Sequence, residues 1–134
     1  IFLKKYDIIY YKIKKERKTT MIKDKINIWV DDLRPIPKNV VDLENWIWLQ
    51  RVEDVIDFLK TMPHSYIGVI DLDHDAGNEA LHGGDYIEIL KWLEEHEDIE
   101  NEYHIRIHTM NIVGRINMEN IIKYHDNWKE VKYI

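Results

Sequence analysis

Short apolar runs alternate with amphipathic helical stretches from Met21 to the end of the chain, and this alternation restricts the possible folds more than any other feature. It is typical of βαβ units built around a mainly parallel sheet. The apolar runs predict five strands, at residues 26–31, 46–49, 66–72, 103–109 and 128–133. Helical spacing predicts helices at residues 52–62, 85–96 and 116–124, with loops at 76–84 and 110–115.

The order of the strands follows from how such units connect. Strand-helix alternation and the preference for right-handed crossovers predict the order 2-1-3-4-5. We therefore expect an α/β, flavodoxin-like, three-layer sandwich with one five-stranded, mainly parallel sheet. The chain has 134 residues, which suffices for one such core but not for two.

Charge divides the chain into two parts. Residues 1–20 hold seven Lys and Arg against two acidic residues, although the whole chain has a net charge of −6, so the remainder is strongly acidic. An acidic body repels a nucleic-acid backbone, and we expect no extended nucleic-acid surface. The basic stretch could be a nucleic-acid or membrane arm. We interpret residues 1–20 instead as an extension outside the core, with Met21 as the natural start of a domain at 21–134.

The chain contains no cysteine, which excludes a disulfide framework, a thiolate zinc site and a cysteine nucleophile. This composition favours a cytoplasmic protein. No apolar run is long enough to cross a bilayer, so we expect no membrane partner. The oligomeric state is not indicated by any of these features.

Polar side chains follow three of the predicted strands at the points where those strands end. The carboxyl ends of parallel strands meet at one edge of a sheet, where ligands gather, so we expect these groups to converge. They are Asp31 and Asp32 after the first strand, Asp73, His74 and Asp75 after the third, and His108, Thr109 and Asn111 at the fourth. Clustered carboxylates repel each other, and a hard cation such as Mg²⁺ or Mn²⁺ would relieve that repulsion while leaving positions for phosphate oxygens.

The acidic motifs also have plainer interpretations. Asp31-Asp32 could be a surface turn, and residues 73–75 could be a solvated loop. A DxDxD spacing invites comparison with a calcium-binding EF-hand loop. That comparison fails, because Ala76 would stand where the loop needs glycine and His82 where it needs a bidentate glutamate.

The basic and aromatic residues allow similar alternatives. His108 alone is more often packed or hydrogen-bonded than catalytic. Arg34 and Arg115 could be ordinary surface charges, yet both lie in loops at the same edge and could bind a phosphate bidentately. The histidines expected to be structural or on the surface are His64, His96, His104 and His125. The tryptophans expected to serve for packing are Trp29, Trp46, Trp92 and Trp128.

Three segments taken together resemble the signature motifs of the cyclic-phosphate-processing receiver family. They are WVDDLRPIP at 29–37, LDHDAG at 72–77 and IHTMNIVGRINM at 107–118, against motifs of the form VDDxRxxP, LDHDxG and H(S/T)xNxxGRxNM. The resemblance covers residues 26–134 and leaves 1–20 outside. It implies a receiver-like fold and a role in handling cyclic phosphates or related nucleotides, in prokaryotic and phage settings.

The chain is less similar to ordinary response-regulator receivers. Asp31, Asp32, Asp73 and Thr109 occupy places comparable to the two Mg²⁺ acids, the phosphate-accepting aspartate and the Ser/Thr of that family. No Lys-Pro follows the fifth predicted strand, and further polar residues are added at His74, His108, Asn111 and Arg115. These departures count against phosphorelay signalling and favour a site for a phosphoester.

Three hypotheses of function follow. The first is metal-assisted processing, by hydrolysis, of a small phosphate ligand such as a cyclic nucleotide or an RNA end. Its metal ligands are Asp31, Asp32, Asp73 and Asp75, its general acid or base is His74 or His108, and its phosphate contacts are Arg34, Thr109, Asn111 and Arg115. The second is a non-catalytic receiver-like module that binds a phosphate or nucleotide, or accepts a phosphoryl group on Asp73. The third is an interaction domain with a vestigial site.

Overall fold

Five strands and three α-helices make up the part of the chain that the structure describes, residues 25–134 of a computed structural model. The strands are β1 (Ile26–Val30), β2 (Trp46–Leu49), β3 (Ile67–Leu72), β4 (Tyr103–Ile107) and β5 (Trp128–Glu130). The helices are α1 (Val52–Thr61), α2 (Ile87–His96) and α3 (Ile112–Lys123). Short 3-10 turns lie at Leu43–Asn45, His64–Tyr66 and Gly77–His82.

All neighbouring strands pair in parallel, in the order β2-β1-β3-β4-β5. The predicted receiver-like α/β fold and strand order are therefore confirmed. A helix connects β2 to β3, β3 to β4 and β4 to β5, as parallel strands require a crossover. The carboxyl ends of β1, β3 and β4 consequently lie side by side at one edge.

One face of the sheet forms the main core. Alternate strand residues point to this face, among them Ile28 of β1, Ile70 of β3 and Ile105 of β4, each at most 1% exposed. All three helices contribute to the same apolar cluster, for example through Phe58 of α1 and Leu90 of α2. Within residues 25–134 the helices thus pack against this one face.

The opposite face is covered differently. It carries a small apolar cluster of Trp29, Val40 and Trp46, with Ile36 packed against it. Val40 comes from the long connection between β1 and β2, which contains two prolines and no α-helix. Residues 25–134 show no helical layer on this face, which leaves room there for polar side chains.

The start of α3 differs from the prediction. Residues 110–115 were expected to be a loop, but the helix begins at Ile112, four residues before the predicted start. The reason is Asn111, whose side-chain oxygen accepts a hydrogen bond from Gly114 N and caps the first turn. The predicted fourth and fifth strands also end early, at Ile107 and Glu130, so His108 and Thr109 follow β4 instead of belonging to it.

None of the helices formed by residues 25–134 has the length and apolar character needed to span a membrane.

Candidate functional site

Three carboxylates converge where β1 and β3 end. Oxygen atoms of Asp31, Asp32 and Asp73 all lie within 4.8 Å of one another. Main-chain hydrogen bonds continue the pairing one residue past the strands, since Asp73 N donates to Val30 O at 2.9 Å. The sheet itself therefore holds the acidic residues together, as their positions at the strand ends predicted.

Arg34 lies across two of these carboxylates. Its Nε is 2.9 Å from Asp31 Oδ2 and its Nη2 is 3.2 Å from Asp73 Oδ2. Nη2 also reaches the main-chain oxygen of His108 at 3.4 Å. One guanidinium thus offsets part of the charge that β1 and β3 bring together, and its side chain remains 48% exposed.

Asp31 has four hydrogen-bonding contacts, which matches the number of lone-pair sites on a carboxylate. Its Oδ1 accepts from the main-chain N atoms of Leu33 and Arg34, both at 2.8 Å. Its Oδ2 accepts from Arg34 Nε at 2.9 Å and faces His108 Nε2 at 3.0 Å. Of the two side chains in this set, that of Arg34 is 48% exposed and that of His108 is 6% exposed.

The two adjacent aspartates have pKa values shifted in opposite directions. Burial raises the pKa of Asp31, but the hydrogen bonds from Arg34, Leu33 and His108 outweigh burial, and the pKa lies below its usual value. Burial also raises the pKa of Asp32, and the negative charges of Asp31 and Asp73 raise it further. Asp32 is therefore the carboxylate whose negative charge is least compensated.

Glycine at position 77 allows the loop after β3 to approach Asp32. Gly77 has φ +56°, and a Cβ atom built there would lie 2.3 Å from Asp32 Oδ2. The space beside Asp32 is thus kept clear of side-chain atoms from this loop. Three close carboxylates, one of them poorly compensated, form a donor set that fits a hard divalent cation.

His108 lies behind the carboxylates and is enclosed by three residues. Its ring stacks on Trp29 with centroids 3.9 Å apart and planes 3° apart. Its Nδ1 is 2.6 Å from Asp71 Oδ1, and its Nε2 is 3.0 Å from Asp31 Oδ2. Arg106 completes the group with Nη1 3.0 Å from the second oxygen of Asp71.

Asp71, Arg106 and the stacking role of Trp29 were not predicted. A signal for them exists in the alternation of strand residues. Asp71 precedes Asp73 by two positions, as Arg106 precedes His108, and residues two apart in a strand share a face.

A second polar group lies beside the first. His74 Nδ1 is 2.7 Å from Asp75 Oδ1, and Asp85 completes a set whose ligand atoms lie within 4.8 Å of one another. The hydrogen bond from His74, with another from Asn111, lowers the pKa of Asp75 despite partial burial. Asp75, predicted with the metal ligands, is therefore grouped with His74 and not with Asp31, Asp32 and Asp73.

The residues predicted to bind phosphate shape the turn from β4 into α3. Asn111 caps the helix and also contacts Asp75, with Nδ2 at 3.2 and 3.3 Å from the two carboxylate oxygens. Thr109 Oγ1 accepts from Asn111 N at 3.1 Å, and Arg115 Nη2 donates to Thr109 O at 3.2 Å. Gly114 allows α3 to approach His74, because a Cβ atom built there would lie 2.4 Å from the ring.

Two of the other histidines make contacts away from these strand ends. His64 contacts the hydroxyl of Tyr103 and lies 3.0 Å from Leu59 O through Nε2. His125 stacks on Trp128 and lies 2.7 Å from a carboxylate oxygen of Glu94. Both histidines connect neighbouring structural elements through these contacts.

Comparison with known proteins gives a match to a family model and none to an individual protein. No curated protein and no solved structure matches the chain. The family model described as the cyclic-phosphate processing receiver domain matches residues 26–124, which span β1 to the end of α3 and include every residue of the two polar groups. On this match, and with the receiver-like sheet and its acidic strand ends, the chain belongs to the cyclic-phosphate processing receiver domain family.

Proposed function

We propose that this domain binds a divalent cation, Mg²⁺ or Mn²⁺, and uses it to hydrolyse a cyclic phosphoester. The observation that carries the proposal is the convergence of Asp31, Asp32 and Asp73 within 4.8 Å, in a chain whose family is described by cyclic-phosphate processing. The three carboxylates are the proposed metal ligands. A cation bound there would neutralise their charge and polarise a phosphoryl oxygen.

Arg34 is the first proposed phosphate contact. A cation at the carboxylates would compete with its guanidinium for Asp31 and Asp73 oxygens. The displaced side chain, already half exposed, would be free to donate bidentately to a phosphate. Arg34 would then exchange one set of anionic partners for another.

The turn between β4 and α3 offers the remaining phosphate contacts. Arg115 uses Nη2 for Thr109 O, and a guanidinium has further N–H donors. The Thr109 hydroxyl accepts from Asn111 N, which leaves its own hydrogen for a ligand. Asn111 would act mainly by holding this turn and Asp75 in place.

His74 is the group that we propose for proton transfer. Asp75 orients its ring through Nδ1, and the contacts of residues 25–134 include no hydrogen bond to its Nε2. Hydrolysis adds water across one P–O bond of the ring, so the attacking water must lose a proton and the leaving oxygen must gain one. The catalytic role predicted for His108 stays a prediction, and its two carboxylate contacts favour a holding role instead.

The test combines a thermal-shift titration with Mg²⁺ and a turnover assay on a 2′,3′-cyclic nucleotide. The variants are Asp73→Asn, His74→Gln and, as a control, Asp98→Asn in the loop that precedes β4 at the opposite edge of the sheet. We expect Mg²⁺ to raise the melting temperature of the parent and the control but not of Asp73→Asn. His74→Gln should keep the Mg²⁺ response and lose about two to four orders of magnitude in turnover.

The outcomes separate the hypotheses. A Mg²⁺ response without turnover in the parent would favour the non-catalytic receiver-like module, with Asp73 as a candidate phosphoryl acceptor. A parent that does not respond to Mg²⁺ or Mn²⁺ would contradict the proposed function.

A further inference from the structure

A row of three side chains crosses the sheet directly behind the candidate site. Trp29 of β1 pairs in register with Asp71 of β3, which pairs with Arg106 of β4. Residues two positions further along each strand lie on the same face, and these are Asp31, Asp73 and His108. The row therefore lies immediately behind the carboxylates.

Asp71 is fully buried, with 0% of its surface exposed. A buried carboxylate is costly unless both of its oxygens have partners. Here Oδ1 is 2.6 Å from His108 Nδ1, and Oδ2 is 3.0 Å from Arg106 Nη1. Within residues 25–134, the side-chain contacts of Asp71 thus join β4 to β3 and reach the site through the imidazole.

The His108 ring is fixed in plane and in rotation. Trp29 stacks on one side of it, and each ring nitrogen faces a carboxylate oxygen. Each ring nitrogen thus lies at hydrogen-bonding distance from one carboxylate, Nδ1 from Asp71 and Nε2 from Asp31.

We propose that Asp71 is a positioning residue that acts through His108 on Asp31. By holding Nδ1, it directs Nε2 at Asp31 Oδ2 and so fixes the orientation of one metal ligand. The inference rests on the proposed function, because it assigns Asp31 to the cation. Partners behind a ligating carboxylate commonly change metal affinity by about 10- to 100-fold when they are removed.

The first measurement needs no variant. NMR spectra of the parent should show a hydrogen-bonded ring N–H signal from His108 Nδ1, which faces the Asp71 carboxylate. In Asp71→Ala the Nδ1–H loses its acceptor, and its signal should disappear through exchange with water. A parent without this signal, or an Nδ1–H signal that persists in Asp71→Ala, would overturn the inference.

The second measurement is a double-mutant cycle with Mg²⁺ alone, read by calorimetry. Asp71→Ala should weaken Mg²⁺ binding by about 10- to 100-fold in the parent background. In the His108→Gln background the same substitution should have little further effect, because the path to Asp31 is already broken. Asp42→Ala is the matched control, since Asp42 holds Asn27 and Trp46 on the same face of the sheet without contacting His108. It should lower stability and leave Mg²⁺ affinity unchanged.

Equal losses from Asp71→Ala in both backgrounds would show a structural or purely electrostatic effect and overturn this inference alone. If His108→Gln binds Mg²⁺ too weakly for the cycle, the Nδ1–H signal in the parent and in Asp71→Ala decides. A parent that binds no Mg²⁺ would overturn the proposed function and this inference together, so the two failures are distinguishable.

Discussion

Asp31 and Asp32 are neighbours in sequence, yet their surroundings give them different roles. Asp31 is surrounded by hydrogen-bond donors that keep its pKa low, whereas burial and two nearby carboxylates raise the pKa of Asp32. Asp31 is thus held as an anion by the fold. Asp32 is the residue whose charge a bound cation would stabilise most.

The raised pKa of Asp32 predicts how stability depends on pH. Between its unfolded and folded pKa values the folded state binds more protons, so the free energy of unfolding falls as pH rises through that window. Asp32→Asn should therefore raise the melting temperature at about pH 7, with a gain that shrinks as pH falls through that window and is absent below the ordinary aspartate pKa of about 3.9. Thermal unfolding of parent and variant across this range measures the effect.

Asp75→Asn serves as the comparison with the opposite sign. The pKa of Asp75 is lowered, so its ionised form adds stability above the unfolded pKa that is lost as pH falls through the folded value. Its substitution should lower the melting temperature near neutral pH and leave the melting temperature unchanged at acidic pH, where Asp75 is protonated in both states. A lower melting temperature for Asp32→Asn at neutral pH would contradict the argument.

How far the site could be predicted depends on the residue. Asp31, Asp32 and Asp73 could be placed together because parallel strand ends share an edge. Asp71 is the single charged residue within the apolar strand IGVIDL, and its partners depend on the register of β3 against β4. Strand alternation places Asp71 on the same face as Asp73, but sequence alone does not provide the register, so the contact of Asp71 with His108 could not be identified.

At the level of single elements, α3 shows how a tertiary contact overrides local preference. Residues 110–115 were predicted as a loop, and glycine disfavours a helix interior. Gly114 nevertheless lies in the first turn, which Asn111 caps, and the His74 ring occupies the place where a Cβ atom at this position would lie. The contact between the site and the helix was not visible in the local sequence.

Gly114→Ala tests this account through the sign of its effect. In an exposed helix the change from glycine to alanine stabilises by about 1 kcal/mol. Here the new Cβ would lie 2.4 Å from His74 Cγ, and we expect a net loss of about 1–3 kcal/mol from overpacking. Chemical denaturation measures it, with Asn120→Ala on the exposed part of α3 as a control that should not destabilise. A Gly114→Ala protein more stable than the parent would refute the contact.

For the whole molecule, the strand order could be predicted because crossover handedness leaves few alternatives. The coverage of the two sheet faces was harder to predict. The connection from β1 to β2 passes over the second face as irregular chain, carrying Val40 to Trp29 and Trp46. Its course depends on that packing and not on a repeated pattern in the sequence.

The interpretation of residues 1–20 as an extension lies outside the described residues and stays a prediction. Both the family match and β1 begin at Ile26, and the charge of residues 1–20 opposes that of the domain. A protein that starts at Met21 should keep nearly the same melting temperature and the same Mg²⁺ response. A large loss of stability on truncation would show that these residues belong to the domain.

The Asp71–His108–Asp31 contacts also bear on how the sheet folds. His108 and Asp31 are 77 residues apart in the chain, so the site is complete only after the central strands β1, β3 and β4 have all docked. A slip of one residue in β3 would turn Asp71 toward the apolar face, away from His108 and Arg106. A carboxylate stranded there without partners would cost about 3–5 kcal/mol. The charges that build the site therefore also disfavour wrongly aligned sheets while the chain is folding.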